Sequence, residues 1–109
     1  MARFEATTAA GPDRVTVTLS GDCDLAVRDR LTAVLLEAVH SGKPVCVEMS
    51  GVGFLDSTGI HALVTAHRAA QERGSRLSLT GARGAVAAVL ELTGLDRLLR
   101  DPAEERRHV

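Results

Sequence analysis

The sequence has few aromatic residues and no excess of either charge. It contains no tryptophan or tyrosine, and only Phe4 and Phe54 among its 109 residues. Stacking on nucleobases or sugars depends on aromatic side chains, so the chain is poorly equipped for it. The formal net charge is −1, with both signs interspersed. Because nucleic-acid binding is driven by excess positive charge, we expect no nucleic-acid partner.

Long apolar runs and paired cysteines are also absent. No stretch approaches the roughly 20 apolar residues of a membrane span, and residues 1–13 contain no run typical of a signal peptide. We therefore expect a cytoplasmic protein without a membrane partner. Cys23 and Cys46 lie far apart and form no C-x-x-C unit. We expect two buried thiols, with no disulfide, metal or cofactor.

The first half of the chain predicts a hairpin, a helix and a buried strand. Residues 3–8 and 14–20 are typical of half-exposed strands, and Gly11, Pro12 and Asp13 supply a turn between them. One helical stripe ending before Gly42 contains the apolar residues Leu31, Val34, Leu35, Ala38 and Val39. Residues 44–49 are almost continuously apolar, which indicates a strand covered on both faces.

The second half alternates helices and strands. We expect a loop at 50–56, a helix from Ser57 to about Arg73 and a strand around 77–79. A third helix at about 85–93 and a short strand at 98–99 follow. The pattern predicts one α/β domain over residues 1–100, with an N-terminal hairpin and a mixed, mostly parallel sheet whose helices pack on one face. The charged tail at 101–109 is expected to fray.

Several catalytic and ligand-binding motifs fail on inspection. Gly51-Val-Gly53 lacks the third glycine of a dinucleotide fingerprint, because Asp56 stands there and would repel a pyrophosphate. Gly42-Lys43 lacks the other residues of a phosphate loop. A hydrolase motif needs a glycine two residues before the serine, and Leu55 stands there. This counts against a catalytic set of Ser57, His61 or His67, and Asp24. The six-residue spacing of His61 and His67 does not suit metal ligation from one helical face. We expect neither an enzyme nor a metal site.

The segment from Val52 to Ile60 is the most informative. Asp56, Ser57 and Thr58 stand where a helix begins, and one of them would suffice as its cap. Gly59 inside the first turn costs about 1 kcal/mol relative to alanine. That cost indicates that another backbone approaches closely there.

Three motifs in register resemble one known family. Phe54-Leu-Asp-Ser-Thr-Gly-Ile60 is similar to the phosphorylation loop of STAS-domain anti-sigma factor antagonists. Leu19-Ser-Gly-Asp-Cys-Asp24 resembles the family's motif at the end of the second strand, and Leu92-Thr-Gly-Leu95 resembles the one before the last strand. The agreement covers about residues 13–100.

The resemblance implies a partner-switching regulator of sigma-factor-dependent transcription, such as a stress response. The unphosphorylated domain would bind an anti-sigma factor with serine kinase activity, and phosphorylation would release it until a serine phosphatase acts. Ser57 matches the phosphorylated serine, and Thr58 is a weaker candidate acceptor. The partner-binding residues implied by the resemblance are Asp22, Asp24, Phe54, Asp56, Ser57, Thr58, Gly59 and His61.

The chain departs from the family pattern in places, and one alternative stays open. Asp22 replaces a glutamate and Cys23 an aliphatic residue. Residues 101–109 lack the apolar stripe of the family's C-terminal helix, which we expect to be short or absent. We expect a monomer or weak dimer. The alternative is a STAS adaptor subunit of a transporter ATPase or sensory assembly, which would dock without phosphorylation.

Overall fold

The computed structural model describes residues 3–100, and the predicted tail at 101–109 lies outside them. The elements, in order, are β1 (Glu5–Ala10), β2 (Val15–Cys23), a short 3-10 turn (Leu25–Val27), α1 (Arg28–Val39), β3 (Val45–Leu55), α2 (Ser57–Glu72), β4 (Leu77–Thr80), α3 (Gly84–Thr93) and α4 (Leu95–Leu98).

The four strands form one mixed sheet in the order β1-β2-β3-β4. β1 pairs antiparallel with β2, whereas β2–β3 and β3–β4 are parallel. The β1–β2 turn is closed by the Gly11 amide, which donates to the Arg14 carbonyl at 2.8 Å. Lys43 Nζ donates to the Gly11 carbonyl at 3.0 Å and ties this turn to the segment before β3. The predicted hairpin and mostly parallel sheet are confirmed.

One face of the sheet and the helices share a single core. Because side chains alternate along a strand, every second residue faces the helices. The core cluster contains these strand residues: Val15, Val17, Leu19, Val45, Val47, Met49, Leu77 and Leu79. It also contains residues from all four helices: Leu31, Leu35, Leu63, Ala66, Val86, Leu90 and Leu95. The opposite strand face carries Thr16, Thr18, Cys46, Glu48, Ser78 and Thr80, which stand outside that cluster. The helices therefore pack on one face, as predicted.

The predicted helices are present, and so are their ends. The glycines expected to end them, Gly42, Gly74 and Gly94, have φ of 80°, 69° and 78°. This left-handed backbone favours glycine and stops a helix. Cys23 and Cys46 are both buried, as predicted, and they do not form a disulfide.

The loop predicted at 50–56 is wrong, because β3 continues to Leu55. Its extension pairs with the end of β2: Gly51 lies opposite Ser20, Phe54 opposite Asp22 and Leu55 opposite Cys23. The glycines that suggested a loop instead suit a tight strand. A Cβ on Gly51 would lie 2.9 Å from the Ser20 Cβ.

The strand predicted at 98–99 is also wrong. Leu95–Leu98 is helical, and Leu95 and Leu99, four residues apart, are both buried in the core. That spacing belongs to a helix. After α4, Arg100 forms an isolated β-bridge with Leu79. The Leu79 amide donates to the Leu99 carbonyl at 2.8 Å.

Candidate functional site

The predicted site residues gather at one end of the sheet, where β2 and β3 both finish. Because the two strands are parallel and paired, their carboxyl ends lie side by side. Asp22 lies opposite Phe54, and Cys23 lies opposite Leu55. The first turn of α2 follows immediately after β3.

The end of β2 is irregular. The β2–β3 register shifts between Thr18 and Ser20 and again between Gly21 and Asp22. Gly21 has φ of 87°, and a Cβ there would overlap the Arg3 carbonyl and lie 2.9 Å from the Phe4 Cα. Only glycine fits this bulge without strain. The bulge thus lies directly before the acidic segment 22–24.

Asp24 and Asp56 each cap the element that follows them. Asp24 Oδ1 accepts from the Ala26 amide at 3.0 Å at the start of the 3-10 turn. Asp56 is the N-cap of α2, and its Oδ1 accepts from the Thr58 amide at 2.9 Å and the Gly59 amide at 3.2 Å. The capping role therefore belongs to Asp56, and the neighbouring hydroxyls are not needed for it.

Ser57, the first residue of α2, is exposed, and Thr58 is half-buried. Within residues 3–100, no group forms a hydrogen bond with the Ser57 hydroxyl. A hydroxyl that is exposed and takes no part in capping is accessible to a modifying enzyme. The assignment of Ser57 as acceptor stays a prediction from the family resemblance.

At Gly59, α2 comes close to the end of β2. A Cβ on Gly59 would lie 3.0 Å from the Cys23 carbonyl oxygen and would overlap Leu55 Cδ1. The Asp56 amide also donates to the Cys23 carbonyl at 3.4 Å. The close backbone approach predicted from Gly59 is confirmed, and the approaching backbone belongs to Cys23.

Three carboxylates act electrostatically on the Cys23 thiol. Burial, followed by the charges of Asp24, Asp22 and Asp56, raises the pKa of Cys23 from 9.0 to about 11. Each carboxylate therefore lies close enough to act on the same buried atom. Among residues 3–100, none of the three forms an ion pair with a basic side chain. The surface beside Ser57 is accordingly negative before any modification.

Two large apolar side chains are exposed beside these carboxylates. Phe54, one of the predicted partner-binding residues, is 48% exposed near the end of β3. Leu25 is 65% exposed just after the end of β2. Leu25 was not among the partner-binding residues predicted from the sequence. Its signal was a large apolar residue placed directly after Asp24 in a segment with no helical or strand stripe.

His61 lies one helical turn beyond Ser57 and is exposed on the same side of α2. It lines a shallow groove between α1 and α2, with Arg28, Asp29, Thr32, Ala33, Leu36 and Thr65 as the other lining residues. The structure thus places His61 beside the acidic and apolar cluster rather than within it. Nothing in the sequence indicated the α1 residues, since their position depends on helix packing.

The hydrolase residues considered from the sequence do not form a linked set in the described part of the chain. Within residues 3–100, no hydrogen bond links Ser57, His61 and Asp24. The same residues contain no group of three histidine, cysteine or acidic side chains placed to hold a metal ion. None of the described helices has the length and apolarity needed to cross a membrane.

Known proteins share this architecture. The family model described as "Mlab, STAS domain" matches residues 6–100. A Thermotoga maritima protein described as a candidate anti-sigma factor antagonist aligns with a TM-score of 0.79 at 18% identity, covering 95% of this chain and 93% of that one. Unphosphorylated SpoIIAA, an anti-sigma factor antagonist and Bacillus cell fate determinant, gives 0.74 at 20% identity, covering 96% and 92%.

A third similar structure comes from a different setting. A sulfate transporter family protein from Wolinella succinogenes aligns with a TM-score of 0.64 at 28% identity, covering 77% of this chain and 69% of that one. The structural neighbours thus share one small α/β fold in more than one biological role. Since the family model spans nearly the whole described chain, this protein belongs to the STAS domain family.

Proposed function

We propose that this protein is an anti-sigma factor antagonist that works as a phosphorylatable switch. Unphosphorylated, it binds an anti-sigma factor with serine kinase activity in the cytoplasm; phosphorylated at Ser57, it releases that partner. A serine phosphatase restores binding, and the cycle regulates sigma-factor-dependent transcription. The observation that carries the proposal is the free, exposed Ser57 hydroxyl at the start of α2, beside exposed Phe54 and Leu25.

The surface around Ser57 suits a binding partner of defined chemistry. Phe54 and Leu25 are apolar anchors of the kind that stabilise interfaces when a partner buries them. Asp22, Asp24 and Asp56 provide negative charge around them. A partner with an apolar pocket rimmed by basic side chains would match this surface.

A phosphate on Ser57 would find little stabilisation within the domain. It adds about −1.5 to −2 charges. A helix N-terminus normally accepts an anion through its free amides, but the Thr58 and Gly59 amides already donate to Asp56. Among the amides of the first turn only that of Ser57 is left unused by the cap, so the new charge depends largely on water for its stabilisation, beside three carboxylates.

Partner release then follows from electrostatics at the interface. Covering the phosphate with a partner would remove its water and bring it against the existing negative charge. A penalty of about 3 kcal/mol weakens binding more than 100-fold. We expect the domain to keep its fold in both states. Global changes in amide exchange upon phosphorylation would contradict this interface mechanism.

The first test is to isolate the protein from its native host, map its phosphorylation by peptide mass spectrometry and identify copurifying proteins. We expect phosphate on Ser57, its loss in Ser57→Ala and its retention in Thr58→Ala, the matched control. A kinase-like partner should be held mainly by the unmodified form. Phosphate that persists in Ser57→Ala would refute the assignment of Ser57.

The adaptor function is a second candidate, favoured by the 28% identity to the sulfate transporter family protein. In that case the same surface would dock on a larger assembly without modification. The protein would remain unphosphorylated under all growth conditions, and Ser57→Ala would copurify with the assembly as well as the unaltered chain does. This pair of results would replace the switch with a constitutive adaptor.

A further inference from the structure

His61 lies where it can meet a group attached to Ser57. Both residues are exposed on α2, one helical turn apart. Residues at this spacing on a helix have Cβ atoms about 5–6 Å from each other. Because Cα–Cβ bonds tilt towards the start of a helix, the Cβ of His61 is directed towards the turn that contains Ser57. A phosphate on Ser57 and the imidazole of His61 both extend beyond Cβ, so each lies within reach of the other.

The first turn of α2 offers a phosphate few donors. The Thr58 and Gly59 amides already donate to Asp56 Oδ1, at 2.9 Å and 3.2 Å. Asp22 and Asp24, which act on the same thiol as Asp56, add negative charge nearby. A cationic side chain within reach is therefore the internal group best suited to stabilise the new charge.

His61 is the only side chain in the first two turns of α2, residues 57–64, that can carry a positive charge. The next basic side chains of the helix, His67 and Arg68, lie about three turns beyond Ser57. Within residues 3–100, the His61 ring forms no hydrogen bond or ion pair. Both ring nitrogens are therefore available to a phosphate.

The charges that α1 brings to His61 already balance each other. Arg28 and Asp29 line the groove beside His61. Arg28 Nε donates to Asp29 Oδ1 at 3.4 Å, so the two form an ion pair. The remaining residues that line this groove are uncharged. A phosphate on Ser57 would thus place an uncompensated negative charge next to the imidazole.

We propose that His61 is a positioning residue for the Ser57 phosphate: its protonated imidazole donates a hydrogen bond to a phosphate oxygen and holds the group against α2. This inference rests on the proposed function, because it concerns the phosphorylated form. The second pKa of a phosphoserine is about 6, and an ordinary histidine side chain has a pKa of about 6.5. The two groups titrate over the same range, and each favours the charged form of the other. The charge that a partner meets on the phosphorylated surface therefore depends on pH near neutrality.

Phosphorus NMR of the full chain, synthesised with phosphoserine at position 57, tests this contact without the kinase. We expect the phosphate to lose its second proton at a pH at least about 0.2 pH units lower in the unaltered chain than in His61→Gln. His61→Lys, which keeps a positive charge throughout this range, should retain the low value. His40→Gln is the matched control, because His40 is exposed at the end of α1 far from Arg28, and it should leave the titration unchanged.

Identical phosphate titrations in the unaltered chain and His61→Gln would overturn the role of His61, and so would an equal change in His40→Gln. Either result would leave the proposed function standing, because phosphorylation of Ser57 in the native host is measured separately by mass spectrometry. Conversely, a chain that is never phosphorylated in its host would refute the switch without changing the NMR result on the synthetic phosphoprotein. The two failures are therefore distinguishable.

Discussion

Replacing Gly21 or Gly42 with alanine separates the cost of a left-handed backbone from the cost of a close approach. Both glycines have positive φ, 87° at Gly21 and 80° at Gly42. A Cβ on Gly42 meets no atom within 4 Å. A Cβ on Gly21 overlaps the Arg3 carbonyl and lies 2.9 Å from the Phe4 Cα. The two variants therefore share the backbone term and differ in the steric one.

The structure sets the size of each term. An alanine in a left-handed backbone costs about 1–2 kcal/mol. Alanine also restricts the unfolded chain, which offsets about 0.4–1 kcal/mol of that cost. Gly42→Ala should therefore lower the free energy of unfolding by about 1 kcal/mol. In Gly21→Ala the start of β1 must also move, because the overlapping atoms are backbone. Phe4, now 4% exposed, would lose burial worth roughly 1.5–3 kcal/mol. The total is about 3 kcal/mol.

Urea unfolding followed by far-ultraviolet circular dichroism gives the comparison, since the chain has no tryptophan for fluorescence. We expect Gly21→Ala to lose about 2 kcal/mol more free energy of unfolding than Gly42→Ala. Equal losses would show that β1 yields to the new Cβ without cost. They would refute the conclusion that only glycine fits the bulge before Asp22 without strain.

Three further outcomes follow from the described contacts. Asp56→Ala should lower the free energy of unfolding by about 1 kcal/mol in urea titrations, whereas Asp56→Asn keeps the cap and should lose less; equal losses would contradict the capping role. The Cys23 pKa is raised from 9.0 to about 11, so its stabilising effect should be complete below pH 9 and disappear as pH rises towards 11. Cys23→Ala should not show this loss of stability at alkaline pH. If the variant loses as much stability as the unaltered protein, the loss does not come from Cys23. Bonds from the Ser50 hydroxyl and amide and from Thr80 lower the pKa of Glu48 below 4.5. The contribution of ionised Glu48 to the free energy of unfolding should be complete above pH 4.5 and be lost as pH falls below it. In acid titrations, Glu48→Gln should therefore show a smaller loss of stability over this range.

Local sequence patterns predicted the type of most elements and the location of the candidate site. Strand and helix periods are local, so the apolar stripe ending at Val39 and the run from Val45 to Met49 predicted α1 and the start of β3. The prediction from Gly59 was also local, because a glycine in the first turn of a helix costs stability unless a close neighbour requires it.

Which neighbours those residues meet depends on contacts between segments that are distant in the sequence. Residues 50–55 were predicted to form a loop, but in the structure they extend β3 because they pair with the end of β2. The same pairing brings Asp22, Asp24 and Asp56 around one thiol and leaves Leu25 and Phe54 exposed beside Ser57. The groove beside His61 depends on where α1 packs. Strand register and helix packing are contacts between distant segments, so no local pattern contains them.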